Sequence, residues 1–269
     1  MPCFICVTCG TSHADSDGPP RDCATCQDPR QYVGLEGQKW TTIEALAESH
    51  EIVFREEEPA LVSVEMRPDF AIGQRALLVL HPDGNVLWDC VPLVDAGALE
   101  TIAALGGLSA IAISHPHFYT SFADWSAAFG GVPVYLHADD APHLRRPDAC
   151  VRFWSGDTQA IADGITLVRA GGHFEGSALL HWGHGAGGRG ALLTSDTVKV
   201  GWDRRSVSVM RSYPNLIPVG PGAIEQVRRT LAPLPYDRLY GAWPGHHIPE
   251  DAPAVVARSL DRYLAQIRG

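Results

Sequence analysis

The sequence predicts an α/β fold, and three observations support this class. Apolar runs of strand length alternate with segments of helical periodicity along most of the chain. Hydrophobic residues make up 45% of the 269 residues, which is usual for a globular protein with a substantial core. The length suits one medium domain and one small additional module. Layers of helices and strands around a buried core are therefore expected.

The composition argues against nucleic-acid binding, membrane insertion and secretion. The formal net charge is −10, and no basic stripe is present that would attract a phosphate backbone. No apolar run approaches the roughly 20 residues that a membrane-spanning helix needs. The first ten residues lack the basic and apolar regions of a secretory signal. Because the cysteines are grouped rather than spread as a disulfide framework, a cytoplasmic protein is predicted.

Five of the seven cysteines lie near the N-terminus, where they form short CxxC motifs. Cys6 and Cys9 form one pair, and Cys23 and Cys26 form a second pair after thirteen intervening residues. Two thiolates from each of two tight turns make a tetrahedral site, so this spacing predicts a structural metal ion. Zinc is the default, but the spacing also resembles that of rubredoxin, and iron stays open. Cys3 and Cys6 form another CxxC, so the first turn has two alternative registers.

A short helix is predicted after this cysteine-rich segment. Thr41 is a suitable N-cap, and Glu44 three residues later completes a capping box. The helix is expected to continue to about His50. The acidic run from Glu56 to Glu58 is interpreted as a solvated loop.

A β-hairpin, a helix and a strand precede the first histidine motif, and a further helix follows it. The hairpin joins an apolar run at 76–80 to a second run at 86–89 through a turn that contains Asp83-Gly84. The pattern then predicts, in order, a helix at 95–105, a strand at 108–114 and a helix at 121–129 that is interpreted as core packing.

The second half of the chain continues the alternation of strands and helices. Strands are predicted at 132–136, 165–170, 177–182 and 190–195, and helices at 221–231 and 250–267. The last helix has its apolar residues on roughly one face. The glycine-rich run at 185–190 connects two strands and does not open a helix, so it is interpreted as a turn rather than as a phosphate-binding loop.

Twelve histidines are present, and some of them lie at the ends of predicted strands, where α/β proteins place their sites. His115 and His117 form a His-x-His motif directly after a strand, which can direct two imidazoles towards one point. Imidazole is a common ligand for zinc and iron. Further residues of ligand type follow at strand or loop boundaries, and these are His173, Asp196 and the adjacent pair His246 and His247.

Taken in order, these motifs resemble the metallo-β-lactamase superfamily. The matching pieces span about residues 70–265 and are the hairpin ending in Asp89, His115-Pro116-His117, Gly172-His173-x-x-Gly176-x-Ser177, Ser195-Asp196 and Gly245-His246. The resemblance implies an αββα four-layer sandwich, here with a small N-terminal metal-binding module, and hydrolysis by a metal-bound hydroxide. It also implies first-site ligands His115, His117 and His173, a bridging carboxylate Asp196, and a second-site ligand His246. Asp89 is expected to orient loops near the site.

The sequence departs from the family motif His-x-His-x-Asp-His at its last two positions, which are Tyr119 and Thr120 here. Both second-site ligands of that loop are missing, so a second ion would keep only Asp196 and His246 with water. We expect one firmly bound ion with three histidine ligands, and Asp196 or water in the fourth position. Asp196 is the expected general base. Tyr119 is expected to donate a hydrogen bond to a developing oxyanion.

These features predict a metal-dependent hydrolase of a small ester, thioester, lactone or similar substrate. Zinc is expected at both sites, with iron as the alternative. Two other functions stay open, namely a non-catalytic binding protein with a degenerate site and an iron-containing redox protein. Residues 1–35 are predicted to form a zinc-ribbon-like module, and residues 36–269 a metallo-β-lactamase-like domain. The expected partner is a small molecule rather than nucleic acid or a membrane.

Overall fold

The chain forms two compact units, each with its own β-sheet. The computed structural model describes residues 1–268. The first unit comprises residues 1–136 and 141–153, and the second comprises residues 137–140 and the chain from Trp154 onward. The alternation of strands and helices that the sequence predicts is confirmed.

Strands are more numerous than helices in both units over residues 1–268. The strands are β1 (Ile5–Cys6), β2 (Trp40–Thr41), β3 (Glu51–Glu58), β4 (Leu61–Arg67), β5 (Ala76–Val79), β6 (Val86–Trp88), β7 (Ala110–Ala112), β8 (Val134–His137), β9 (Val151–Trp154), β10 (Thr158–Ala162), β11 (Ile165–Arg169), β12 (Ala178–Trp182), β13 (Ala191–Leu193), β14 (Lys199–Val200), β15 (Val207–Ser208), β16 (Met210–Ser212), β17 (Ile217–Pro218), β18 (Arg238–Tyr240) and β19 (His247–Ile248). The α-helices are α1 (Ala24–Gln27), α2 (Ile43–Ala47), α3 (Ala96–Ala104), α4 (Phe122–Ala128), α5 (Gly185–Gly188), α6 (Pro221–Leu231) and α7 (Ala252–Arg268). The four-residue α5 falls on the glycine-rich run that the sequence predicts to be a turn. Its Ala186 and Gly187 have non-helical φ values of 52° and 66°, so this run is a turn rather than a regular helix. None of these helices combines the length and the apolar character needed to cross a bilayer.

The first unit contains a seven-stranded sheet in the order β3-β4-β5-β6-β7-β8-β9. Neighbours from β3 to β6 pair antiparallel, whereas β6, β7 and β8 are parallel to one another. The predicted hairpin is formed by β5 and β6, with Leu78 opposite Leu87. The parallel strand β7 is buried throughout, as its continuous apolar sequence predicts. Because parallel strands end at the same edge of a sheet, the residues that follow β6 and β7 lie side by side.

The second unit contains a six-stranded sheet in the order β10-β11-β12-β13-β18-β19. Only β13 and β18 pair parallel among the described neighbours, and the other pairs are antiparallel. Helices α6 and α7 cover this sheet with their apolar faces, as the sequence predicts for the last helix. Their buried residues share one core with strand residues, and this core includes Ile224, Val227, Leu231, Val255, Val256, Leu260, Leu264, Val168, Leu179, Leu192 and Leu239.

The predicted N-cap of the first longer helix is wrong by one residue. Thr42, rather than Thr41, precedes α2, and its hydroxyl accepts a hydrogen bond from the Ala45 N–H (3.3 Å). Thr41 instead belongs to β2, where it pairs with Ile5. The helix ends at Ala47, earlier than predicted. Strand pairing with the N-terminal segment therefore determines which of the two threonines caps the helix.

The prediction of a solvated loop at the acidic run is also wrong. Glu56 to Glu58 are the last residues of β3. The side chain of Glu57 is 6% exposed and forms ion pairs with Arg75 (2.8 Å) and Arg55 (2.9 Å). The side chain of Arg75 is completely buried. A buried carboxylate needs such partners, and they make an acidic run compatible with a strand.

Candidate metal centres

Asp89 joins the ends of β6 and β7 in the first unit. Its backbone has a φ of 62°, a conformation that aspartate tolerates better than most residues. The Asp89 N–H donates to Ala112 O (2.8 Å), and its Oδ1 accepts from the Ser114 N–H (2.8 Å). The side chain is almost completely buried. These bonds confirm the prediction that Asp89 orients the loop that begins after β7.

The His-x-His segment starts directly beyond this junction. His115 is extended, and Pro116 begins a 3-10 turn that ends at Phe118. The turn places the ring centroids of His115 and His117 5.3 Å apart with an angle of 74° between the rings. The two residues are 0% and 2% exposed. The Nδ1 atom of His115 lies 2.8 Å from Ser114 Oγ, and this contact fixes the orientation of the ring.

Tyr119 and Thr120 complete this loop at the two positions where the superfamily motif has Asp and His. Both residues are buried. The Tyr119 N–H donates to Pro116 O (3.2 Å), and the Thr120 N–H donates to Phe118 O (2.8 Å). Zinc in proteins is bound by thiolate, imidazole and carboxylate rather than by phenol or aliphatic hydroxyl groups. The potential metal ligands of this loop are therefore the imidazoles of His115 and His117.

In the second unit, His173 lies in the loop between β11 and β12. Gly171 and Gly172 precede it with φ values of 68° and 85°, which residues with a Cβ rarely adopt. The Nδ1 atom of His173 lies 2.8 Å from Met210 O. Because a carbonyl oxygen only accepts, Nδ1 bears the proton, and Nε2 retains the lone pair that a metal ion needs. The residue is 1% exposed, so packing and the hydrogen bond together hold the ring in this orientation.

Asp196 follows β13 in a turn that is also held by hydrogen bonds. Thr194 Oγ1 donates to Val198 O (2.7 Å), which closes the turn across Asp196. The Tyr213 hydroxyl donates to the backbone carbonyl oxygen of Asp196 (3.1 Å). Asp196 is 4% exposed. Its backbone is therefore fixed from two sides, and its carboxylate is largely withdrawn from water.

A partly buried cation lies near Asp196 in the same unit. The Lys199 ammonium is 3.7 Å from the centre of the Trp243 ring and 4.6 Å from the centre of the Tyr213 ring. Burial lowers the pKa of Lys199, and the negative charge of Asp196 opposes this shift. Burial, reinforced by the Asp196 charge, raises the pKa of Tyr213 well above its usual range. Tyr213 is therefore a neutral hydrogen-bond donor.

Of the two adjacent histidines near the last helix, His246 has the ring orientation of a ligand. Its Nδ1 atom lies 3.1 Å from Val200 O, so Nδ1 bears the proton and Nε2 retains a lone pair. The ring packs edge-on against Trp202 at a centroid distance of 4.6 Å. His247 stacks instead on Tyr240. In the described chain, neither histidine belongs to a group of three or more potential ligands.

The four cysteines of the two predicted pairs meet in the first unit. The sulfur atoms of Cys6, Cys9, Cys23 and Cys26 all lie within 4.8 Å of one another. The shortest separations are 3.5 Å between Cys6 and Cys26 and 3.6 Å between Cys9 and Cys23. None of the four is more than 3% exposed. This cluster matches the donor set of a tetrahedral zinc or iron site, as the spacing predicts.

Local hydrogen bonds shape the two cysteine turns. The Gly10 N–H donates to Cys6 O (2.8 Å), and the Gln27 N–H donates to Cys23 O (3.0 Å). Antiparallel pairing of β1 with β2 brings the chain back beside the first turn. There the Gln38 side-chain amide donates to Cys6 Sγ (3.0 Å). Each turn therefore presents its two sulfur atoms on one side.

Cys3 lies outside the cluster. Its thiol donates to His13 O (3.1 Å). Burial raises the pKa of Cys3 to about 11, so the group is a neutral thiol. Of the two registers that the sequence leaves open, the structure adopts the one in which Cys6 and Cys9 form the first pair.

The crowded thiols share their protons unequally. Hydrogen bonds with Cys26, Cys6 and Cys9 lower the pKa of Cys23. Hydrogen bonds with Cys23, Cys26 and Cys6, together with burial, raise the pKa of Cys9 well above its usual range. Without a metal ion, the pKa values of Cys6 and Cys23 are lowered and those of Cys9 and Cys26 are raised. A metal ion would stabilise all four as thiolates, which is the state that ligation requires.

The chain is similar in structure to several metallo-β-lactamases, although no family model matches its sequence. DIM-1 metallo-β-lactamase superposes with a TM-score of 0.58 at 13% identity, over 81% of this chain and 99% of that chain. VMB-1 gives a TM-score of 0.59 at 13% identity, over 80% and 98% of the two chains. A B3 metallo-β-lactamase with an active-site glutamic acid gives 0.52 at 19% identity, over 94% and 100%. The predicted metallo-β-lactamase fold is confirmed.

A curated protein of known sequence is much more similar to this chain. The uncharacterized protein YmaE of Bacillus subtilis (strain 168) is 44% identical over 266 residues, which cover 98% of this chain and 96% of YmaE. The chain belongs to the same family as YmaE. The similarity extends over almost the whole chain and so includes the cysteine-rich segment as well as the larger part that follows it.

Proposed function

We propose that this protein is a metal-dependent hydrolase whose main metal ion is bound by His115, His117 and His173, with Asp196 or water in the fourth position. The observation that supports this most is the hydrogen bond from His173 Nδ1 to Met210 O. Metal-binding histidines typically donate their second ring nitrogen in this way, because the bond fixes both the tautomer and the ring. His173 occupies this arrangement in a chain with the metallo-β-lactamase fold.

The chemistry of the donor set fits a zinc ion and would also accept iron. The proposed ligands are three buried imidazoles, those of His115, His117 and His173, and the buried carboxylate of Asp196. Three histidines with an open or exchangeable fourth position are typical of catalytic rather than structural zinc sites. When bound, the ion supplies Lewis acidity and lowers the pKa of water to about 7.

The protein side chains would then move the protons and stabilise the developing charge. Asp196 would accept the proton of the attacking water, and the Tyr119 hydroxyl would donate a hydrogen bond to the oxyanion. A small ester, thioester or lactone is the substrate class that we propose for this chemistry. His246, with Asp196, would provide at most a weakly held second ion, because the loop at 119–120 contributes neither carboxylate nor imidazole.

The N-terminal cysteines would bind a separate, structural ion. Four thiolates complete a tetrahedral coordination sphere and leave no position for substrate. We propose that residues 1–35 form a zinc-ribbon-like module around Cys6, Cys9, Cys23 and Cys26. Residues 36–269 would form the hydrolase domain.

Metal content per chain tests the proposed function most directly. We expect two ions in the wild-type protein and one in the double variant His115→Ala/His117→Ala, because this variant lacks both imidazoles of one loop. Elemental analysis gives the number and identity of the ions. His50→Ala is a matched control, since His50 lies in the same unit, bonds to Leu46 O (3.2 Å) and is outside the groups of potential ligands.

The outcome separates the candidate functions. Two zinc ions falling to one would support the hydrolase and justify a screen of esters, thioesters and lactones. A single ion that the double substitution leaves in place would contradict the hydrolase and favour a binding protein. In that case the buried Tyr119 and Thr120, which stand where the superfamily motif has Asp and His, would account for the loss of metal binding in the binding protein. Iron in both sites, visible as colour, would favour a redox protein instead.

Tyr119→Phe tests the proposed oxyanion donor. Loss of one such donor typically lowers kcat by about 100-fold or more, and we expect an effect of this order on a good substrate. The metal content should stay unchanged, because the phenol is not among the proposed ligands. Tyr135→Phe, on β8 of the same unit, is the control. If the kcat of Tyr119→Phe equals that of Tyr135→Phe, the hydroxyl has no catalytic role.

A further inference from the structure

The segment that leaves the first cysteine pair lies against the histidine loop within the same unit. The Ser12 N–H donates to Tyr119 O (3.4 Å), and Ser12 Oγ donates to Thr120 O. Ser12, Tyr119 and Thr120 are each at most 1% exposed. Buried carbonyl groups are almost always hydrogen-bonded, and here one serine serves two consecutive carbonyls. The backbone at 119–120 is therefore held in place by Ser12.

The same segment is tied to the cysteine cluster. The Cys6 N–H donates to Thr11 O (3.0 Å), and Cys9 Sγ lies 3.2 Å from Thr11 Oγ1. Ser12 itself pairs with Ile5, the residue before Cys6. Two residues separate Cys9 from Ser12 in the sequence. A movement of the cysteine turn would therefore be transmitted to Ser12 through Thr11 and Ile5.

Gly10 lies between the first cysteine pair and Ser12 and packs beside the loop. Its φ of 77° favours glycine. A Cβ added there would lie 3.4 Å from both Ala71 Cβ and Pro92 Cγ, and 4.0 Å from Thr120 Oγ1. These are ordinary van der Waals distances, so glycine is favoured here by its backbone conformation, and the segment packs mainly against Ala71 and Pro92. Close packing and directional hydrogen bonds together mean that a shift of the cysteine turn moves residues 119–120.

These contacts fall where the loop lacks the metal bonds of the motif that it resembles. A carboxylate and an imidazole at positions 119 and 120 would hold the loop through a metal ion, and Tyr119 and Thr120 do not. His117 precedes Tyr119 by two residues. Fixing the backbone at 119 therefore restricts the orientations that the His117 ring can adopt.

We propose that Ser12 is a positioning residue through which the metal-loaded cysteine cluster fixes the His115–Thr120 loop and so strengthens metal binding by His115 and His117. This proposal rests on the function proposed above for the two histidines. Residues that orient metal ligands typically change affinity by about 10- to 100-fold, and we expect about tenfold from one serine. Linkage makes the effect reciprocal, so an ion in either site favours binding at the other.

The test measures the zinc affinity of the main site in the full-length protein with the cysteine ion in place. A chromophoric chelator competes for zinc at a strength too low to remove the ion from four thiolates. In Ser12→Ala, we expect retention of the cysteine ion and a rise of about tenfold in the Kd of the other ion. Ser12→Thr retains the hydroxyl and should restore the wild-type Kd. Ser16→Ala, which removes a hydroxyl bonded to Gly18 O (2.8 Å) near the surface, is the control.

An unchanged Kd in folded Ser12→Ala overturns the proposal. If wild-type protein binds only the cysteine ion, the proposed function fails. Amide hydrogen exchange then tests separately whether Ser12 positions the His115–Thr120 loop. Faster exchange of residues 114–121 in Ser12→Ala, with unchanged exchange in β11 and β12 of the second unit, supports positioning of the loop. Exchange that is unchanged in residues 114–121, or that rises equally in β11 and β12, overturns the proposal. If Ser12→Ala does not fold, amide hydrogen exchange is measured on wild-type protein before and after removal of the cysteine ion. Faster exchange of residues 114–121 after removal, with unchanged exchange in β11 and β12, supports the proposal, and any other result overturns it.

Discussion

Replacement of His173 by alanine is expected to remove the main-site ion and to lower metal-dependent hydrolysis by more than about 100-fold. Residues that only orient a ligand account for roughly 10- to 100-fold, and His173 is itself a proposed ligand. The substitution deletes Nε2 together with the ring that the Met210 carbonyl holds in position. Elemental analysis and turnover of the best ester, thioester or lactone measure the two effects. The cysteine ion should remain.

His181→Ala is a matched control for this substitution. His181 also lies in the second unit, and its Nε2 donates to a backbone carbonyl, that of Pro235 (2.7 Å), but near the protein surface. We expect the control to keep both ions and full activity. Retention of both ions by His173→Ala would contradict the proposed ligand set. Loss of the ion in both variants would indicate that removing any such histidine destabilises the second unit.

Elements whose residues determine their structure locally could be predicted from the sequence. The hairpin of β5 and β6 follows from two apolar runs joined by Asp83-Gly84, and the structure places its strands at Ala76–Val79 and Val86–Trp88. Helix α7 follows from a stripe of apolar residues at helical spacing. Both signals lie within the element itself and do not depend on its partners.

The assignments that are wrong depend on partners far away in the sequence. Glu57 is read as solvated until Arg75, eighteen residues later, is known to form an ion pair with it inside the first unit. Thr41 and Thr42 are equally suitable N-caps, and pairing of Thr41 with Ile5 decides between them. Strand pairing and burial of charge are tertiary effects, so propensity and periodicity alone do not reveal them.

The candidate ligands could be selected from the sequence because residue type and place agree. His115 and His117 follow the apolar strand β7, and His173 and Asp196 follow other strands, so each lies where a sheet ends. Their joint coordination of one ion stays a prediction. The resemblance favours His246 over His247 as the last ligand. This choice stays a prediction, and the structure shows only that Nδ1 of His246 lies 3.1 Å from Val200 O.

Ser12 shows what the sequence does not reveal at all. A serine in a segment rich in turn residues has no distinguishing pattern, and its contact with Thr120 spans 108 positions in the chain. The cysteine spacing predicts a structural ion but not what that ion supports. Only the fold brings the cysteine turn beside the loop at 119–120, because β1 also forms a bridge to Ser12.

Loss of the cysteine ion is the second change for which we expect a large effect. The variant Cys23→Ser/Cys26→Ser should lose one ion and release residues 1–41 from their folded arrangement. Structural zinc contributes roughly 10–16 kcal/mol in small zinc modules, far more than so short a segment gains from its own core. The buried core of this segment consists of the four cysteines, against which the partly buried Trp40 and Ile72 pack.

Limited proteolysis with mass spectrometry measures this effect, and Cys3→Ser is the matched control. Cys3 belongs to the same segment, but its thiol bonds to His13 O outside the cluster, so this variant should keep its ion and resist the protease. Rapid cleavage within residues 1–41 is expected only in the double variant. Because Ser12 would move with the released segment, the main-site ion should also bind more weakly there. A double variant that stays resistant would mean that packing of Ile5 against Leu46, Met66 and Leu93 suffices to hold the segment, and that the cysteine ion is dispensable for its fold.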